Sequence, residues 1–219
     1  MPLDPPTPTP TPAPVADELT EIAVILDRSG SMMSLKDDME GGLWATILDQ
    51  HQQPGRCRVS LYQFDDVWEP VFEAKPSGEI RQADCALVPR GSTALHDAVV
   101  KSLAAIEARI QREPEAQRPA KLAVIVITDG HENASRENDK GDAQRAIARA
   151  TDKLDWSFVF LAADARGFDD GVQMAAGRGK ASVAAYDKGG GGVRAMHAKT
   201  SVALSDYRAG RSKKVDLDE

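Results

Sequence analysis

The chain of 219 residues has the length of one domain with tails. Hydrophobic residues make up 42% and charged residues 28%, a balance that supports a packed core. The formal net charge of -7 repels phosphate, which argues against general nucleic-acid binding, while it attracts cations.

Residues 2–14 read PLDPPTPTPTPAP. This Pro/Thr segment lacks the apolar content to pack, so residues 1–18 are expected to form a disordered arm that serves as a spacer rather than as a docking ligand for a proline-binding module. No basic region followed by an apolar core marks a secretory signal, and no apolar run approaches the roughly 20 residues of a membrane helix. The default expectation is a cytoplasmic protein that meets no membrane and is monomeric by itself.

The folded domain is expected over residues 19–207. Glu21–Leu26 (EIAVIL) is an almost continuous apolar run, as in a strand buried on both faces. After the loop DRSGS, Leu35, Met39, Leu43 and Ile47 recur every fourth residue and mark the inner face of a helix. Arg58–Phe64 and Val67–Ala74 are two β-rich runs joined at Asp65-Asp66. They read as a hairpin, and Pro70 sends the second strand to an edge. Cys57 is expected as a small buried thiol and Cys85 falls in a less regular stretch; nothing in their spacing requires a disulfide or a zinc site.

RGST at 90–93 precedes a helix with a stripe of Leu95, Val99, Leu103, Ile106 and Ile110. Leu122–Ile127 (LAVIVI) is a second fully apolar strand, followed by TDGHENAS. A helix over about 139–154 leads to the buried strand Ser157–Ala162. A weaker helix at 168–176, a last strand at Ala181–Tyr186, a flexible glycine turn at 189–192 and a closing helix at 193–207 complete the order. Residues 208–219, with Arg208, Arg211, Lys213 and Lys214 before Asp216, Asp218 and Glu219, are expected to be a charged, solvated tail. Strands alternating with helices indicate an α/β fold. The sheet is doubly wound, Rossmann-like and mostly parallel, with helices on both faces and an antiparallel edge hairpin. Ligands in such folds bind where loops leave the carboxyl ends of strands.

Two acid-bearing loops leave the two strongest strands. In Asp27-Arg28-Ser29-Gly30-Ser31, alternate positions on an extended loop can aim three oxygens to one side. Asp129 follows the other strand, and Thr93 opens a helix after Gly91. If the strands are neighbours, Asp27 and Asp129 repel unless a cation lies between them. The donors are hard oxygens, which suit Mg²⁺ or Mn²⁺, with Ca²⁺ a lesser choice, over zinc or copper. Each part has a plainer reading: Ser29 and Ser31 as helix caps, Asp129 as a turn residue. The metal reading rests on all of them arriving together.

DRSGS (27–31), GST (91–93) and TDG (128–130) resemble the DxSxS…T…D pattern of the metal-ion-dependent adhesion site in von Willebrand factor A domains. The resemblance covers about residues 19–207. Its wording is nearer to stand-alone bacterial and phage-associated members, some found with stress and tellurite-resistance systems, than to integrins. It implies that Ser29 and Ser31 bind the metal directly and Thr93 directly or through water. Asp27 and Asp129 act mainly through bound waters. A remaining position accepts a partner's Asp or Glu. Met32, Met33 and Ser34 follow the first loop where regulatory acids would stand, so a second calcium site is not implied.

His131 and Glu132 read as solvated loop residues, and Arg28 as a rim residue that steers an acidic ligand. His96 and Asp97 sit at a helix start, where Asp97 favours the helix dipole. Trp44, Trp68 and Trp156 read as packing residues. Ser29 stands where a DxDx motif after the first strand would need its second Asp, and no GxGxxG, GxxxxGK[ST] or GxSxG motif supports an enzyme. The leading enzyme alternative is a metal-assisted hydrolase with His131 or Glu132 as base. A scaffold with a purely structural metal is the third reading.

Overall fold

The computed structural model describes residues 18–217. Its strands are β1 (Leu19–Asp27), β2 (Arg56–Phe64), β3 (Trp68–Pro76), β4 (Lys121–Thr128), β5 (Ser157–Ala162) and β6 (Ala181–Ala185). The helices are α1 (Lys36–Gln52), α2 (Leu95–Arg112), α3 (Lys140–Ala148), α4 (Ala165–Ala175) and α5 (Gly190–Arg208). The sheet order is β3-β2-β1-β4-β5-β6. Every pairing is parallel except β2 with β3, so the antiparallel hairpin lies at one edge as its Pro70 requires.

Side chains alternate across the sheet, so the apolar run of β1 serves two cores. Ile22, Val24 and Leu26 join the layer under α1 and α5. Ala23 and Ile25 join the layer under α2, α3 and α4. Each fully buried large apolar side chain contributes about 1.5–3 kcal/mol. Leu35, just before α1, and Met39, Leu43 and Ile47 within it are buried as their spacing predicts. Gly42 on that helix lets α5 approach, because a Cβ there would meet the His197 ring. Trp68 stacks on Tyr62 with centroids 5.6 Å apart and donates to Ser102 Oγ at 2.8 Å. Cys57 and Cys85 are free and buried. Among the described residues, no helix is long and apolar enough to cross a membrane.

The structure corrects three local expectations. Residues 189–192 are not a free turn: Gly189 caps α5 and Gly190–Gly192 form its first turn. Glycine is needed at 192, where a Cβ would meet the Asp187 backbone, and a Cβ on Gly190 would meet the Asp38 carboxylate. The chain after 207 does not leave the surface. Arg208 donates to the carbonyls of Gln50, Pro54 (3.2 Å) and Gly55 (3.1 Å). Val215 and Leu217 are buried in the α1/α5 layer, with Val215 N donating to Ser157 Oγ at 2.8 Å. Helix α3 stops earlier than 154 and continues as a wider π turn over Arg149–Lys153. The proline-rich arm and the last two residues lie outside the described residues.

Candidate metal centre

Because β1 and β4 are neighbours in register, with Leu26 beside Ile127, Asp27 and Asp129 leave the same end of the sheet. Asp27 is fully buried. Its Oδ1 accepts the Ser29 N–H at 2.6 Å, and its Oδ2 accepts the Thr128 hydroxyl at 2.6 Å. No lysine or arginine among the described residues pairs with it. Burial pushes the Asp27 carboxyl up to about 6, against the lowering effect of the Thr128 and Ser29 hydrogen bonds.

The other predicted residues converge on the same point. Ser29 Oγ and Ser31 Oγ are 3.0 Å apart, and Ser31 Oγ donates to Asp129 Oδ1 at 2.5 Å. The Thr93 and Ser31 hydroxyls both border Gly130: a Cβ built there would lie 3.7 Å from Thr93 Oγ1 and 3.9 Å from Ser31 Oγ. Thr93 is held by Asn133, whose side-chain carbonyl accepts its N–H at 2.9 Å. The carbonyl of Thr93 in turn accepts the Asn133 and Ala134 N–H groups. Asp27, Ser29, Thr93 and Asp129 are buried, while Ser31 is exposed, so the cluster opens to solvent at Ser31.

The donors fit a hard divalent cation: three neutral hydroxyls and two carboxylates, one of them buried without a cationic side chain. Among the described residues, no group of three or more His, Cys, Asp or Glu could hold a metal. The centre therefore depends on hydroxyls and is unlike a cage of acids, imidazoles or thiolates.

A cluster of buried charges beside the site, absent from the motif, ties the loops together. Arg28 is not a solvent-facing rim residue. It is buried, with Nε 3.0 Å from Asp65 Oδ2 and a further ion pair to Glu69. Arg90 reaches the same Asp65 oxygen at 2.7 Å. The Asp65 carbonyl accepts Ala94 N–H at 2.8 Å, and Arg90 N donates to Arg28 O at 2.8 Å. Burial raises the Asp65 carboxyl, but hydrogen bonds from Arg90, Val67 N–H and Arg28 outweigh it, so the carboxyl lies below its ordinary value. Gly91, at φ +64°, packs where a Cβ would strike Asp66. Asp65 read as a hairpin turn residue; its second role is visible only with both arginines in place.

Glu132 is not a solvated side chain either. Its carboxylate accepts N–H groups from Ala134 (2.9 Å), Ser135 (2.7 Å) and His96 (2.9 Å), and the Ser135 hydroxyl (2.7 Å). Asp97 does more than favour a helix dipole: it accepts the N–H groups of Arg136, Glu137 and Asn138. Both acids staple the loop after β4 to the start of α2.

No protein-family model matches the chain, and no curated protein matches it. Solved structures do. Proximal thread matrix protein 1 from the mussel byssus, with a zinc-occupied MIDAS motif, is 15% identical with a TM-score of 0.62, over 88% of this chain and 48% of that one. The vWF domain of the type V pili tip protein Mfa5 from Porphyromonas gingivalis is 9% identical with a TM-score of 0.60, over 85% of this chain and 95% of that one. The pilus adhesin SpaC from Lactobacillus rhamnosus GG is 12% identical with a TM-score of 0.64, over 86% of this chain and 30% of that one. The chain thus spans about half the length of the mussel protein, at 48%. At these identities the likeness concerns architecture: this chain has the Rossmann-like α/β fold of von Willebrand factor A domains.

Proposed function

We propose that this protein is a metal-dependent protein-interaction module, in which Asp27, Ser29, Ser31, Thr93 and Asp129 hold Mg²⁺ or Mn²⁺. The observation that carries the reading is the convergence of three separate loops on one oxygen-only cluster around a buried, cation-free Asp27. When bound, the ion supplies a Lewis-acidic position for a carboxylate of the partner. The residues of the chain hold the geometry: Thr128 and the Ser29 N–H orient Asp27, and Ser31 orients Asp129. With hydroxyls as direct ligands, little ligand charge offsets the ion, which favours an incoming Asp or Glu. The zinc in the mussel protein makes zinc a necessary comparison in titration. The partner is first sought among proteins of stress and tellurite-resistance systems, the setting that the sequence resemblance implies.

Isothermal titration of wild type and Asp27→Ala with Mg²⁺, Mn²⁺ and Zn²⁺ tests the metal. Heats are expected in wild type and lost in the variant; equal heats in both sink the reading. Pull-down with and without chelator then separates a metal-bridged partner from a scaffold whose metal is purely structural. The hydrolase alternative loses one of its bases, since Glu132 is fully engaged by loop N–H groups and a hydroxyl. Phosphoester hydrolysis that disappears in His131→Ala would restore it.

A further inference from the structure

The fold brings one residue to this centre that neither the motif nor the resemblance contains. Lys188 Nζ lies 3.3 Å from Asp129 Oδ2, the oxygen not taken by Ser31. It comes from the β6–α5 connection, and β6 is separated from β4 by β5. The Tyr186 hydroxyl anchors that connection by donating to the Thr128 carbonyl at 3.1 Å, and Tyr186 N donates to Ala162 O at 3.0 Å. At the far side, Gly190 allows α5 to press on Asp38, which Arg194 pairs at 2.8 Å. The connection is thus held at both ends, with Lys188 between them.

The pair is unequal. The Lys188 side chain is 45% exposed and that of Asp129 is 1% exposed. A long, solvated stem therefore delivers an ammonium to a buried carboxylate. Among the described residues, it is the one side-chain cation in contact with either Asp27 or Asp129.

Resting on the metal-centre reading above, we propose that Lys188 is a tethered cation that competes with the divalent ion for Asp129 and so sets the affinity of the site. Its ammonium offsets the Asp129 carboxylate in the metal-free protein and swings into solvent when the ion binds. The physical basis is simple. Like charges sharing one carboxylate repel at contact distance, and a flexible lysine stem can retreat without disturbing the backbone. The half-exposed position keeps the effect moderate through solvent screening.

The test is titration of the full chain with Mn²⁺ and Mg²⁺, as wild type, Lys188→Gln and Lys188→Arg, together with thermal melts in chelator. Lys188→Gln is expected to bind Mn²⁺ about three- to tenfold more tightly at low salt, with the gap closing at high salt. Lys188→Arg should stay near wild type. In chelator, Lys188→Gln should melt about 1–3 °C lower, since it loses the counter-charge. Unchanged or weaker Mn²⁺ binding in Lys188→Gln overturns the proposal. Absence of Mn²⁺ binding in wild type is a different result and overturns the metal-centre reading itself.

Discussion

Strand β1 buries a carboxylate at each end, and only one of the two is neutralised within the protein. At the N-terminal end, Glu21 is fully buried between Arg58 (2.8 Å) and Arg109, with Ser60 Oγ at 2.9 Å. Glu113 closes the group by accepting from Arg58 at 2.8 Å and Arg109 at 2.6 Å. Two acids and two guanidiniums make a self-sufficient neutral set. At the C-terminal end, Asp27 has neutral donors from Thr128 and Ser29, and Asp129 has a hydroxyl and the half-exposed ammonium of Lys188. A carboxylate locked between arginines holds structure. A carboxylate held by neutral donors keeps its charge available to an ion from outside.

The largest expected effect breaks the closed end. Arg58→Ala leaves buried Glu21 and its neighbour Glu113 to share Arg109 alone and should cost about 3–5 kcal/mol in urea unfolding, with Mn²⁺ affinity little changed. A large loss of affinity at constant stability would mean the two ends are not independent.

Between these ends lies a buried group with no charge partner. Burial pulls His197 down to about 4, against 6.5 in the unfolded chain. The folded state therefore rejects a proton that the unfolded state accepts. Stability from this group is complete above 6.5 and is lost as pH falls through 4, by about 3 kcal/mol in total. Urea unfolding at several pH values should show His197→Gln with a flatter acid limb than wild type. Parallel limbs would remove His197 from the account.

At the open end, the effect comes from outside. Mn²⁺ at 100 times its dissociation constant should stabilise wild type by about 2.7 kcal/mol and Asp27→Ala not at all. The same gain should appear in Arg58→Ala if the ends are independent.

The smallest expected effect lies in the coupling of the loops. Asp65→Asn removes the charge shared by Arg28 and Arg90. A stability loss of about 1–2 kcal/mol is expected, with Mn²⁺ binding weakened about tenfold as the loops at 27–31 and 90–93 loosen. Binding that survives unchanged would show that the backbone bonds alone hold those loops.

Much of the fold was legible because β1, β4 and β5 are apolar runs between turn signals, and α1 and α2 carry clean stripes. Failures fell where one local pattern serves two structures. Four glycines suit a loose turn, yet here Gly189 caps α5 and Gly190–Gly192 form its first turn, with Asp38 beside Gly190 and Asp187 beside Gly192. The charged end also hid a signal: Val215 and Leu217, two residues apart with Asp216 between them, show the alternation of an extended segment with one face buried.

The candidate site divides along the same line. Asp27, Ser29, Ser31, Thr93 and Asp129 were all named from local sequence, because each follows a strand or opens a helix, and short spacing sets where such oxygens can point. Their company could not be named. Arg28, Asp65 and Arg90 meet across 37 and 25 residues, and Lys188 meets Asp129 across 59. Charge compensation acts through space, and strand order decides which distant charges share a space. The five oxygen-bearing residues of the candidate site were therefore determined by sequence alone, while the charges that surround them were decided by the tertiary structure.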